Sequence, residues 1–390
     1  MHAWEIDPAE EPPQADPTLL EQPRAPSARS TPPRKLARES DRRSPIETPD
    51  PGQDLQSRRA ASSAPFRRIA MCVDGSEMSD TIVRHATMVA LAFGAPLTIL
   101  RVIETESNEG TAPPDPLDWG VRQREARSSL DRLVSVARHR GIDVRTELLQ
   151  GRAAERICSW TLQHDVDLTV LGSHGEHGRS AWTISSTARK LVDGVPGSLL
   201  LVPADGDRRE GSAGGYRRIM VPLDGSARAE SVLPAATRLA MAHEADLLIA
   251  HVPPVPELTR AGPLTAEDLE LEQRVIARNE RVARCYFDQI RARVSEAGLA
   301  ARTIISRGGD PRTRLARLVR REGVDLVILS AYGRRGPRDT PCGSVAAHLL
   351  ARVAVPLLVF RERPRRVTER LSQEAARRAV SARSPAQAAP

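Results

Sequence analysis

Between residues 66 and 203, short apolar runs alternate with stretches in which apolar positions recur three or four residues apart, and the same alternation returns between 215 and 361. In the second stretch the runs fall near 217–223, 246–252, 299–306, 325–330 and 355–360, and they predict strands. Most of them are apolar throughout rather than alternating. That predicts burial on both faces, hence a parallel sheet with helices on either side. Gly309-Asp310-Pro311 predicts a helix start, with an N-cap and a proline at the first position. Thr265 and Asp268, spaced as a capping box, open a long helix.

The two stretches are copies of one another. FRRIAMCVDGSE (66–77) aligns with YRRIMVPLDGSA (216–227) at an offset of 150. At that offset Ile82, Ala86, Val89 and Ala90 meet Val232, Ala236, Leu239 and Ala240, which is one face of a helix. LTILRV (97–102) then meets LLIAHV (247–252). Further on, DVDLTVLGSHG (165–175) meets GVDLVILSAYG (323–333) at an offset of 158, so the second copy carries eight extra residues in its middle. The polar, glycine-rich ADGDRREGSAGG (204–215) separates the copies. The expected organisation is a proline-rich tail over 1–65, domains over 66–203 and 215–361 joined by a linker at 204–214, and a basic tail over 362–390.

Composition adjusts this picture at the ends. Residues 1–65 hold twelve prolines and few large apolar side chains, so disorder is expected there and in the C-terminal tail. Net charge is +7, but from Arg361 onward eight arginines face three glutamates, so +5 of it lies in the tail. The body is near neutral and aromatics are 3%, so no nucleic-acid groove is expected. The four cysteines are scattered without a CxxC, which favours reduced thiols in a cytoplasmic protein over a disulfide framework or zinc. No apolar run approaches the roughly 20 residues of a membrane span.

In an open α/β sheet, ligands sit beyond the carboxyl ends of the strands. There each copy places an aspartate turn, Asp74-Gly75-Ser76 and Asp224-Gly225-Ser226, and a loop after the fourth strand, VLGSHGEHGRSAWTISS (170–186) and ILSAYGRRGPRDTPCGS (328–344). Aspartate can accept a hydrogen bond from a ribose or base, and glycines let backbone N–H groups approach phosphate. His174 and His177 lack a third metal ligand, and Ser173 beside His174 lacks a nucleophile elbow. Cys342, just before Gly343, is read either as a packed thiol or as one activated by a helix N-terminus.

The V-D-G-S turn, D-L-x-V-L-G-S-H-G and the terminal P-L-L-V resemble the universal stress protein family over both copies. The resemblance implies two tandem open parallel five-stranded α/β sheets, Rossmann-like, in strand order 3-2-1-4-5. Nucleotide-binding members of that family carry Gly-x2-Gly-x9-Gly-(Ser/Thr) after the fourth strand. In the first copy Gly172 and Gly175 match, but Ser185-Ser186 stands in place of Gly-Ser; in the second, Gly333, Gly343 and Ser344 match and Ser330 replaces the first glycine. The first-strand aspartates Asp74 and Asp224, and the second-strand positions Val102 and Val252, correspond to the family's base and ribose contacts. The implied ligand is ATP or another adenine nucleotide, with Mg accompanying it, regulating a stress response. A nucleotide-free scaffold for an unidentified protein partner is the alternative, and no clear general base points beyond a weak ATPase. The resemblance also suggests that the halves pair within the chain through Leu199–Val202 and Leu357–Phe360 as a pseudo-dimer, with a homodimer as a further assembly.

Overall fold

The computed structural model describes residues 65–105, 116–174, 184–204, 215–253, 265–306, 309–334 and 342–362. The readings of residues 1–64 and 363–390, and of Gly175 and His177, lie outside them.

In the first half β1 (Ile69–Val73), α1 (Met78–Phe93), β2 (Leu97–Ile103), α2 (Pro116–Arg138), β3 (Val144–Gln150), α3 (Ala153–Gln163), β4 (Leu168–Gly172), α4 (Ser186–Gly194) and β5 (Ser198–Val202) follow one another. The second half repeats the order with β6 (Arg218–Pro222), α5 (Ala227–Glu230), α6 (Leu233–His243), β7 (Asp246–His251), α7 (Ala266–Glu296), β8 (Ala301–Ile305), α8 (Pro311–Arg321), β9 (Leu326–Ser330), α9 (Ser344–Arg352) and β10 (Leu357–Phe360). Where α1 is continuous, its counterpart is broken into α5 and α6. Pro234 stands at the position of Arg84 and has no N–H to give to Glu230, so the helix restarts around it. Both expected helix starts form. Thr265 and Asp268 close the capping box of α7, and Asp310 caps α8 ahead of Pro311.

The strands form one ten-stranded sheet in the order β3-β2-β1-β4-β5-β10-β9-β6-β7-β8. Each half keeps the 3-2-1-4-5 order and is parallel throughout. The two five-stranded sheets are continuous because β5 and β10 pair antiparallel, with Leu201 opposite Leu357, Leu200 opposite Leu358 and Leu199 opposite Val359. These strands are short and apolar; left as edges they would expose unpaired N–H and C=O groups. Alternate residues feed two cores. Ile69, Met71, Leu168, Val170, Ile219 and Ile328 face α1, α2, α6 and α7. Ala70, Leu199, Leu201, Met220, Val327 and Leu329 face α3, α4, α8 and α9.

Side chains lock the halves together. Arg361 donates its backbone N–H to Ser198 Oγ (3.1 Å), and its guanidinium to the carbonyls of Val192 (2.5 Å) and Val195 (2.8 Å) at the end of α4. Arg238 donates to Ala92 O at 2.8 Å and lies 5.5 Å from the centre of the Phe93 ring. His85 Nδ1 and the Tyr216 hydroxyl are hydrogen-bonded at 2.9 Å, and Phe66 meets Phe360 at 6.0 Å.

Candidate functional site

The second crevice forms where β6 and β9, adjacent in the sheet, end side by side. β6 leads into the Asp224-Gly225-Ser226 turn, in which Gly225 has φ +77°, a value that glycine adopts without strain. Ser226 folds back. Its N–H and Oγ both donate to Asp224 Oδ1, at 3.0 and 2.6 Å, while its Oγ accepts from Ala229 N–H and caps α5. The other carboxylate oxygen, Oδ2, accepts the Arg334 N–H at 2.6 Å. That oxygen lies so close to Gly333 that a Cβ there would come within 2.5 Å of it. The Arg334 guanidinium then reaches over the turn to the carbonyls of Asp224 (3.4 Å) and Gly225 (3.2 Å).

Burial alone would raise the Asp224 carboxyl. The Ser226 hydroxyl, the Arg334 and Ser226 N–H groups and the Arg334 charge outweigh it and hold the group below the ordinary carboxylate value. A carboxyl depressed on folding stabilises the fold above its unfolded pKa of about 3.9, and that contribution is lost as pH falls through the lower folded value. Asp224→Asn is therefore expected to flatten the acid limb of a stability-versus-pH curve below about pH 4, read by urea unfolding. An unchanged acid limb would remove Asp224 as its source.

Gly343 caps α9 without a side chain, so no side-chain oxygen of that residue competes for the helix's first N–H groups. Its own N–H donates to Ala331 O at 2.6 Å, and a Cβ on it would lie 3.9 Å from Gly333 N, so the two glycines stand close together. Ser344 is the first residue of α9. Ser330, where the motif has glycine, fits at the strand end with its Oγ accepting from Tyr332 N–H at 3.4 Å. Val252 follows β7 and is buried. Beside it His251 donates from Nδ1 to Leu223 O at 2.7 Å, and burial pushes the imidazole below its usual range, against the nearby Asp224 charge.

The first crevice keeps the aspartate turn and the bond that closes the loop but differs around them. Asp74 accepts the Ser76 N–H at 3.0 Å, and Arg101 of β2 lies over Gly75, where a Cβ would come within 2.6 Å of its Nη2. Val102 is internal to β2, whose pairing with β3 runs on to Ile103 and Gln150. At Gly172 a Cβ would meet Met78 and Ile82 of α1 at 3.1 Å, so glycine here serves close packing. Ser185 N–H donates to Ser173 O at 2.8 Å, matching the Gly343 bond, but Ser185 Oγ accepts the Ala188 N–H at 3.1 Å. The serine is thus an N-cap of α4, and Ser186 is the helix's first residue. Ser185, which stands where the motif has glycine, thus occupies a donor that an anion would need.

Cys342 is not an activated thiol: burial raises it, against a smaller lowering by Arg361. Sequence reasoning missed Arg101 and the wrap of Arg334 around the aspartate turn, contacts between residues far apart in the chain. Among the described residues, no helix is long and apolar enough to cross a membrane.

The model of the universal stress protein family matches residues 65–203 and 215–361. A universal stress protein of Mycobacterium tuberculosis strain H37Rv is 23% identical over 306 residues, covering 75% of this chain and 97% of that protein. One from Methanocaldococcus jannaschii is 24% identical over 141 residues, 35% of this chain and 82% of its own. Among solved structures, a putative universal stress protein of Pseudomonas aeruginosa aligns over 81% of this chain and 99% of its own, at 14% identity and a TM-score of 0.56. With its α/β fold occurring twice and the family model matching both copies, the chain belongs to the universal stress protein family.

Proposed function

We propose that the chain is a stress-response regulator that takes ATP or another adenine nucleotide in the crevice of its second half. One observation carries the reading: the Asp224 carboxylate packs on Gly333 beside Gly343, whose helix starts without a side-chain cap. A fixed acceptor suited to a ribose hydroxyl thus stands next to backbone N–H groups suited to phosphate. Gly333, Gly343 and Ser344 would cradle the phosphates, Asp224 would hold the ribose and the backbone at Val252 would meet the base. Magnesium would arrive on the phosphates of ATP.

For the first half, Ser185 capping α4 and Arg101 lying over Gly75 favour a nucleotide-free role in contacts with protein partners. The working unit is then one chain whose halves form an internal pair.

Isothermal titration with ATP and AMP tests this. Asp224→Ala is expected to weaken binding tenfold or more, while Asp74→Ala leaves it unchanged. Ser185→Gly is expected to free the Ala188 N–H and add a second binding event, at a stability cost of a few tenths of a kcal/mol. Silence from the full-length protein, or loss of binding in Asp74→Ala alone, overturns the assignment.

A further inference from the structure

The longest helix of the chain is only half covered. α7 has 31 residues, yet its buried positions are Ala283, Phe287, Ile290 and Val294, all in its C-terminal part. At about 1.5 Å per residue the helix is roughly 46 Å long, whereas the five-residue β8 beside it rises about 17 Å. The stretch from Ala283 to Val294 is enough to span the sheet. The first 17 residues, roughly 25 Å of helix, hold no fully buried side chain, although Glu272, Ile276, Asn279 and Glu280 are partly covered. They start at the carboxyl edge of the second half, because α7 runs back from the carboxyl end of β7.

This stretch is not an ordinary solvated helix. Leu269 and Leu271 are each 46% exposed and Val282 is 55% exposed. Leu271, Val275 and Val282, at steps of four and seven, share one side of the helix, away from the buried stripe. The same segment opens with Glu267, Asp268, Glu270 and Glu272, and no lysine or arginine precedes Arg274. It is an apolar strip with an acidic N-terminal end, followed by Arg274, Arg278 and Arg281 toward the middle of the helix.

One segment of this chain complements it. Residues 363–390 carry seven arginines against two glutamates. Val367, Leu371, Ala375 and Ala379 recur every fourth residue, with Arg366, Arg370 and Arg378 beside them. The segment starts in the right place. β10 is parallel to β9, β6 and β7, so the chain leaves it at the same carboxyl edge where α7 starts. Three strand spacings, about 14 Å, separate β10 from β7, and 28 residues reach far beyond that. The N-terminal segment fits less well: residues 1–22 carry six acidic residues and no lysine or arginine, and residues 23–64, although basic with nine lysines and arginines against five acidic residues, hold seven prolines that break any helical apolar stripe.

We propose that residues 363–390 dock on the N-terminal half of α7, with Val367, Leu371 and Ala375 against Leu271 and Val282 and the arginines against Glu267, Glu270 and Glu272. The docking does not depend on nucleotide binding in the second half.

The test uses a fluorescently labelled peptide of residues 363–390 and a chain ending at Glu362, followed by anisotropy without nucleotide. The shortened chain is expected to bind the peptide, tenfold or more weakly in 500 mM than in 50 mM NaCl. Glu270→Lys together with Leu271→Asp, both on exposed positions, is expected to cost a further tenfold, with circular dichroism confirming an unchanged fold. The full-length chain, its site filled in cis, is expected to bind at least tenfold more weakly than the shortened one. Hydrogen exchange over 266–282 should quicken on removal of the segment. Absence of binding, binding indifferent to the α7 changes, equal binding by both chains, or capture that requires residues 1–64 overturns the proposal. Dimerisation of the full-length chain through α7 overturns it too, since a second copy would then be the occupant.

Discussion

Gly333→Ala is expected to lower the affinity of the second half for ATP a hundredfold or more. The reason is spatial. Gly333 does not have the positive φ that strains an added side chain; instead, Asp224 Oδ2 occupies the space its Cβ would need, 2.5 Å away. The partner atom belongs to a carboxylate held by Ser226 and by the N–H of Arg334, so it cannot swing aside without breaking those bonds. The substitution would displace the proposed ribose acceptor and the loop together. Gly120→Ala serves as the control: nothing lies within 4 Å of a Cβ there, and just past the first turn of α2 alanine should stabilise by about 0.5–1 kcal/mol. Titration of both variants decides the matter. If Gly333→Ala binds ATP like the parent chain, the nucleotide does not use this crevice.

Arg361→Ala is expected to lower global stability by about 3 kcal/mol, the scale of losing charged hydrogen bonds to buried acceptors. The guanidinium closes the carboxyl end of α4 from the opposite half, at Val192 and Val195, with Gly197 O a longer contact at 3.4 Å. Its truncation leaves the last carbonyls of that helix bare beside the β5–β10 pair. Arg361→Lys should recover little, because a single ammonium cannot reach the same fork of carbonyls. Urea unfolding with an unchanged m-value is the measurement. A loss below about 1 kcal/mol would mean that strand pairing alone holds the halves.

Much of the fold was legible because it is local and repeated. The 150 and 158 offsets aligned strand with strand, and the apolar runs gave the five strands of the second half to within two residues at each end. Thr265 with Asp268, and Asp310 with Pro311, marked helix starts because capping chemistry acts over three residues. What stayed hidden was long-range. Arg334 meets Asp224 across 110 positions, and Arg361 meets Val192 across 169. No periodicity records such a meeting. The aspartates and glycines of the crevices could be nominated from the doubled motif. Only coordinates distinguish a serine that crowds a helix start from one that caps it, or glycine needed for packing, as at Gly172, from glycine pressed by a carboxylate, as at Gly333.

The single antiparallel step between β5 and β10 has a directional consequence. Because every other neighbour is parallel, the carboxyl ends of the two halves point to opposite rims of one sheet, and so do their crevices. No single ligand can touch both, and a partner seated on one rim leaves the other open. Substitutions can therefore accumulate on one rim without disturbing the other. A doubled chain is in that sense free to keep an open crevice on one rim while its twin becomes a face for something else.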